Sequence, residues 1–298
     1  MTTLYSTIYV YILYNNFLRR SFEIYIDSFL RKLNIDFKFI ADGDNSKIPS
    51  DAIIFMVGNP FRVGKDINRF AHNKIYLWIL EPLLFNGKSY FNTPYMKKVA
   101  NNIKDMLKNC DVSILCYNKI QIESFEKISI KKCEYLPIGY DTSSVSNRKQ
   151  IKIENICFAG TIYGQRKNFF DKLLYDVYKI IDSNSHQEFI NKISEFKIGI
   201  AIQDDYDNIC IPWQRLMFYV SNNVVVFSDM ALEECCNLVD GVDYIYYDTK
   251  NINDKLKILL DNSDSLEKIA QSAKNNILKN FTMAELFKET SLYKLLGK

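Results

Sequence analysis

Short apolar runs alternate with amphipathic stretches along nearly the whole chain. In the first half the runs are Thr7–Tyr14, Phe37–Ala41, Ala52–Met56, Ile75–Leu80, Val112–Cys116 and Cys133–Leu136. Helical periodicity fills Phe17–Leu33, Tyr95–Lys108 and Lys119–Lys127. Apolar runs of this kind belong to strands that helices cover on both faces. Strands and helices in alternation predict a parallel, doubly wound α/β sheet.

The pattern lapses over Pro137–Glu154. Pro137-Ile-Gly139-Tyr-Asp141 runs into Thr-Ser-Ser-Val-Ser-Asn-Arg-Lys, a polar segment without periodicity that reads as a linker. A second series then begins, with strand Ile156–Ala159, helices Asn168–Asp182 and Gln187–Glu195, strand Ile198–Ile202, helix Pro212–Ser221, and strands Val224–Phe227 and Tyr244–Tyr247. Three helical segments close the chain, the last opening on the capping-box sequence Thr282-Met-Ala-Glu285. The expected organisation is an N-terminal Rossmann-like domain over residues 1–140, a linker over 141–154 and a C-terminal Rossmann-like domain over 155–298. The last helix is then free to pack back on the first domain. Two such domains would face a cleft, with ligands beyond the carboxyl ends of the strands.

Composition narrows the classes. The 298 residues suit two ordinary domains, and 48% hydrophobic residues suffice for a core in each. A net charge of +3 is too small for a global field that attracts nucleic acid, so a nucleic-acid acceptor would need a local basic patch. The seven cysteines form no Cys-x-x-Cys pair and predict reduced, mostly buried thiols. His72 and His186 have no Cys or His neighbour at ligand spacing, so no metal is assigned. No apolar run has the length of a membrane span and Thr7–Leu13 is too short for a leader, which together predict a cytoplasmic protein.

Candidate chemistry concentrates in Asn155-Ile-Cys-Phe-Ala-Gly160-Thr161-Ile-Tyr-Gly164-Gln-Arg166-Lys167. A strand ending in glycine, then a second glycine and two cations before a helix, offers bare backbone and positive charge to a diphosphate. A second signal, Ile211-Pro212-Trp-Gln214-Arg215, leads to the strand end Val224-Val-Val-Phe-Ser228-Asp229. Asp204-Asp205-Tyr-Asp207 reads as a solvated acidic loop. In the first half Asp42 and Asp44 follow one apolar run and Glu81 follows another. Glu81 and Asp42 are the candidates for a general base acting on an acceptor hydroxyl. Arg19 and Arg20 follow the first strand and suit an anion or a solvated helix start equally.

Ile156–Lys167 resembles the opening of the C-terminal domain of GT-B glycosyltransferases, particularly the spore-maturation type and its group-1 relatives. Tyr135-Leu-Pro137-Ile-Gly139-Tyr-Asp141 is similar to the segment leading into their linker, and Ile198–Ile202, Pro212–Arg215, Val224–Asp229 and Gly241–Asp248 follow in the same order. The resemblance covers residues from about 133 to 298. It implies a sugar transferred from a nucleotide-diphosphate sugar to a glycan or other hydroxyl acceptor, with no cofactor beyond that substrate. It also implies donor contacts from Gly160, Thr161, Gly164, Arg166, Lys167, Pro212, Gln214, Arg215, Ser228 and Asp229. Relatives carry a glutamate for the donor ribose where this chain has Phe218. Two alternatives stay open: transfer to a hydroxylated base in DNA, which +3 disfavours, and a non-catalytic nucleotide-sugar binding module.

Overall fold

A computed structural model describes residues 7–13, 16–41, 48–58, 70–80, 84–85, 88–89, 101, 104–127, 133–149, 151–162, 164–181, 183–202, 212–232, 236–248 and 250–298. The chain divides into two compact units, Met1–Pro137 with Ala284–Lys298, and Ile138–Met283.

The first unit is built on β1 (Thr7–Ile12), α1 (Asn16–Lys32), β2 (Asp36–Ile40), β3 (Ile53–Gly58) and β4 (Lys74–Ile79). The small antiparallel pair β5 (Leu84–Phe85) and β6 (Lys88–Ser89) follows, then β7 (Asp111–Cys116), α2 (Lys119–Lys127) and β8 (Cys133–Tyr135). Its main sheet has the order β2-β1-β3-β4-β7-β8, and every described pairing within it is parallel. The apolar runs explain the order: β3 is buried at every position and lies inside the sheet, whereas β2 alternates exposed Asp36 and Lys38 with half-buried Phe37 and Phe39 and forms an edge. Phe287, from the chain end, is buried in this unit with its ring 5.2 Å from Phe29 and 5.9 Å from Phe55.

The second unit contains β9 (Glu154–Ala159), α3 (Gln165–Phe170), β10 (Tyr178–Ile180), α4 (His186–Ile193), β11 (Phe196–Ala201), α5 (Trp213–Ser221), β12 (Val225–Ser228) and β13 (Ile245–Tyr246). Helices α6 (Ile252–Leu260) and α7 (Ser263–Asn280) follow, and α8 (Met283–Lys288) and α9 (Ser291–Leu295) end the chain. The five strands run parallel in the order β10-β9-β11-β12-β13. Ile156, Phe158, Ile198, Ile200, Val225 and Phe227 turn one face of this sheet toward Leu256, Leu266 and Ile269.

Three local expectations change. Helix Asn168–Asp182 is instead the six-residue α3, a turn and the edge strand β10. Pairing of Ile180 with Ala159 on β9 overrides the helical period, and Leu174, which that period would have buried, is 83% exposed. The closing helix divides into α8 and α9, because Thr290 takes the cap position and its hydroxyl accepts the Tyr293 N–H at 3.2 Å. The polar segment after Pro137 is hydrogen-bonded onto the second unit. Asp141 caps the turn Thr142–Ser144 through the Ser143 N–H, and Asn222 donates to the Ser144 carbonyl at 2.8 Å while accepting the Ser146 N–H at 2.7 Å. His186 Nε2 donates to the Ser143 carbonyl at 3.0 Å, and Lys152 Nζ reaches the carbonyls of Ser194 (2.9 Å) and Asn222 (2.7 Å).

Candidate functional site

In the second unit the chain leaves β9 for β10 on one side and then returns to the other side for β11. Connections on opposite faces diverge at such a reversal, and ligands of open α/β sheets bind at the carboxyl ends of the strands there. The pairing of β11 with β9 runs only to Gly199 opposite Cys157. Beyond it, side chains of α5 take over the backbone groups. The Tyr219 hydroxyl accepts the Ala159 N–H at 2.9 Å and donates to the Ile200 carbonyl at 3.2 Å. One turn earlier on the same helix face, Arg215 donates from Nε to the Ala159 carbonyl (2.7 Å) and from Nη1 to the Ile202 carbonyl (2.9 Å). A guanidinium is thereby fixed across the ends of two diverging strands.

Two glycines make this possible. A Cβ at Gly199 would lie 2.6 Å from the Tyr219 ring, so β11 admits the aromatic only because residue 199 has no side chain. Gly160 follows β9 with φ +141°, a region that L side chains rarely adopt, and a Cβ there would meet Arg215 Nη2 at 3.0 Å. The backbone at Gly160 and the Arg215 guanidinium are in immediate contact.

Arg166 comes to the same place from α3. Its Nη1 donates to the Thr161 carbonyl at 3.0 Å, and its guanidinium carbon lies 5.7 Å from the centre of the Phe158 ring. Arg215 lies 4.5 Å from that ring, so the buried Phe158 carries two cations. Lys167 is exposed on the next residue. Gly164 enters α3 with φ +55°, and six residues of helix sum few peptide dipoles. The positive field at this turn comes mainly from side chains. Such an arrangement can hold an anion of diphosphate type and stabilise charge that builds on it as a bond to it breaks.

The other candidates are distributed as follows. Pro212 is the N-terminal flank of α5, and Gln214 is half-buried on its first turn. Ser228 is fully buried and its hydroxyl accepts the Met230 N–H at 3.1 Å, a turn role, while Asp229 beside it is half-buried. Glu81, Asp42, Asp44, Asp204, Asp205 and Asp207 lie outside the described residues. Arg19 is committed to Glu23 (2.9 Å) and to the Ile40 carbonyl (3.1 Å). Phe218 packs edge-on against His186 (6.0 Å) and Phe189 (5.5 Å), so an apolar seam occupies the place where the sequence resemblance implies a carboxylate. Among the described residues no group of three or more His, Cys, Asp and Glu could hold a metal ion, and no helix is long and apolar enough to cross a membrane.

Burial governs the ionisable groups around the site. It pushes the Tyr219 phenol and the Cys157 thiol well up, keeping both neutral, and lowers His186. Burial also brings Lys152 down to about 8. Tyr219, Phe158 and Asn222 are parts of this arrangement that the sequence alone did not single out. One signal pointed to Tyr219: a glycine within the strand Phe196-Lys-Ile-Gly199-Ile-Ala marks a close approach.

No protein-family model and no curated protein sequence matches the chain. Solved structures do. T4 phage BGT in complex with its UDP-glucose substrate superposes with a TM-score of 0.67 at 12% identity, covering 98% of this chain and 100% of that one. A DNA-modifying β-glucosyltransferase, solved with and without its substrate uridine diphosphoglucose, gives 0.65 at 11% identity over 98% and 100%. Anabaena Alr3699/HepE in complex with UDP and glucose gives 0.62 at 7% identity over 97% and 99%. The likeness shows the fold, two parallel-sheet α/β units of the GT-B kind.

Proposed function

We propose that this chain is a glycosyltransferase that takes a sugar from a nucleotide-diphosphate sugar. Its diphosphate would bind over Gly160 between the guanidinium groups of Arg166 and Arg215, with Lys167 adding charge from the α3 side. The observation that carries the reading is Arg215, locked to the carbonyls of Ala159 and Ile202 where β9 and β11 part, beneath a glycine that leaves room for an anion. Donors held fixed in their productive pose react faster, and cations fixed beforehand stabilise the leaving diphosphate without reorganising. UDP-glucose is the first donor to test, since all three of the end-to-end structural matches described above were solved with UDP-glucose or with UDP and glucose.

Glu81 and Asp42 remain our candidates for the base that takes the acceptor proton. The motifs Gly160–Lys167 and Tyr135–Asp141 support placing the chain beside the spore-maturation type within GT-B enzymes, working in the cytoplasm without a metal or other cofactor. For the acceptor we propose a glycan or other hydroxyl. A hydroxylated base in DNA is the second reading, favoured by end-to-end coverage of a DNA-modifying enzyme.

The test is release of the nucleotide diphosphate from UDP-, GDP- and ADP-sugars, with and without hydroxymethylated DNA or an oligosaccharide. Release that requires one acceptor and vanishes in Arg166→Ala supports transfer. Tight binding of a nucleotide sugar with no turnover on any acceptor supports the binding module instead. Failure of every nucleotide diphosphate to bind overturns the proposal.

A further inference from the structure

Two thiols touch in the first unit. Cys116 ends β7, Cys133 opens β8, and their Sγ atoms lie 3.2 Å apart. Cys116 is fully buried and Cys133 is half-exposed. In the parallel register Cys116 stands opposite Tyr135 and Cys133 opposite Ile114, so the two cysteines are diagonal neighbours on one face. With parallel strands about 4.8 Å apart and a rise of about 3.3 Å per residue, residues offset by two lie roughly 8 Å apart at Cα, whereas a disulfide spans about 4.4–6.8 Å. A bond between them therefore requires β8 to slide along β7 by about 2 Å. That strand is three residues long and forms the sheet edge, so few ladder bonds resist the slide.

We propose that Cys116 and Cys133 form a peroxide-sensitive dithiol whose oxidation shifts β8 and releases the C-terminal helix α9. The coupling runs through Glu134, the residue between Cys133 and Tyr135. Its carboxylate accepts the Ser291 backbone N–H at 2.7 Å and the Ser291 hydroxyl, at the first residue of α9. Two further anchors fix the reduced register: the Leu136 N–H donates to the Cys116 carbonyl at 2.8 Å, and the Trp78 indole N–H donates to the Leu136 carbonyl at 2.7 Å. Sliding β8 toward Cys116 carries the Glu134 carboxylate away from the helix start it caps.

The chemistry closes on one equivalent of hydrogen peroxide. The Cys133 sulfur attacks a peroxide oxygen, the O–O bond breaks, and Cys133 becomes a sulfenic acid as one water leaves. The Cys116 sulfur then attacks Cys133 Sγ, the S–O bond breaks, and the hydroxide leaves with the Cys116 proton as a second water. Two thiols are oxidised to one disulfide and one peroxide is reduced to two waters.

The experiment treats the full chain with hydrogen peroxide, alkylates it under denaturing conditions, and maps peptides by mass spectrometry alongside hydrogen exchange. Expected are the loss of two of the seven alkylatable thiols as a Cys116–Cys133 link, faster exchange over residues 291–295, and reversal of both by dithiothreitol. In Cys116→Ser the sulfenic acid on Cys133 has no partner and is trapped by a 1,3-dione. In Cys133→Ser neither the link nor the exchange change forms. Retention of all seven thiols, passage of Cys133 to a sulfinic acid without a link, or a link that leaves exchange at 291–295 unchanged would each overturn the proposal.

Discussion

Replacing Arg215 with alanine should damage both the fold of the second unit and its affinity for a diphosphate, whereas the same change at Arg166 should damage only the affinity. Arg215 donates two charge-assisted hydrogen bonds to carbonyls of buried residues, Ala159 at 5% exposure and Ile202 at 1%. Bonds from a charged donor contribute about 1.5–3 kcal/mol each, and truncation leaves the acceptors stranded. The Phe158 stack adds about 0.5–2 kcal/mol. Allowing for non-additivity, Arg215→Ala should cost about 3–5 kcal/mol, against a typical domain stability of about 5–15 kcal/mol. Arg166 is tied more loosely, with Nη1 on the exposed Thr161 carbonyl and its guanidinium 5.7 Å from the Phe158 ring, so Arg166→Ala should cost about 1 kcal/mol. Either change removes a phosphate partner, and every 1.4 kcal/mol lost from binding is about tenfold in Kd. Urea unfolding read by Trp213 fluorescence in a Trp78→Phe background isolates the second unit, because the chain has only these two tryptophans. UDP titration by calorimetry gives the affinity. The reasoning fails if Arg215→Ala unfolds within about 0.5 kcal/mol of the parent, or if Arg166→Ala binds UDP as tightly as the parent does.

Tyr219→Phe keeps the ring over Gly199 but orphans a buried N–H, so it should cost about 1–3 kcal/mol and remove exchange protection at the Ala159 amide. Unchanged protection there would show that another group satisfies the amide. Gly199→Ala places a Cβ 2.6 Å from that ring and should cost about 1–3 kcal/mol or more, with a smaller penalty in a Tyr219→Leu background; additive costs in the double variant would refute the clash. Lys152 sits near 8 when folded against an ordinary 10.5, so between these values the unfolded chain binds the extra proton. Stability from this residue must then rise with pH across that window, by at most about 1.4 kcal/mol per pH unit. The stability difference between the parent and Lys152→Met should show that slope, and a flat difference from pH 8 to 10.5 would contradict it.

The sheets were legible because their strands are long and apolar. Ile53–Gly58, Lys74–Ile79 and Asp111–Cys116 each carry enough consecutive Ile, Leu, Val and aromatic residues that only burial on both faces satisfies them. Failure came where an element is short and its partner decides. Tyr178–Ile180 holds only three residues, within a stretch whose apolar spacing also fits a helix, and pairing with β9 selects the strand. The stretch after Pro137 misled for the opposite reason. Its serines look like solvent-facing linker residues, yet the backbone groups of Ser143, Ser144 and Ser146 meet His186 and Asn222 from distant helices. Local composition reports polarity but not which distant side chain will satisfy it.

The site shows the same division within a single helix. Trp213–Ser221 has one face bearing Arg215 and Tyr219, and glycines at 160 and 199 signal that face because each removes a Cβ the helix would strike. A neighbouring face bears Phe218 and, one turn on, Asn222, and it looks toward α4 and the segment after Pro137. No glycine or charge pattern marks it. A carboxylate at 218 would be buried against the rings of Phe189 and His186, with burial holding that histidine neutral, and desolvating the charge would cost several kcal/mol. Phenylalanine fits this seam because its edge meets both rings. The departure at 218 therefore follows from how α4 and the chain after Pro137 are held against α5, whereas Arg215 and Gly160 depend on where β9 and β11 diverge. One helix thus serves two separate packing demands, and altering the first leaves the cationic turn intact.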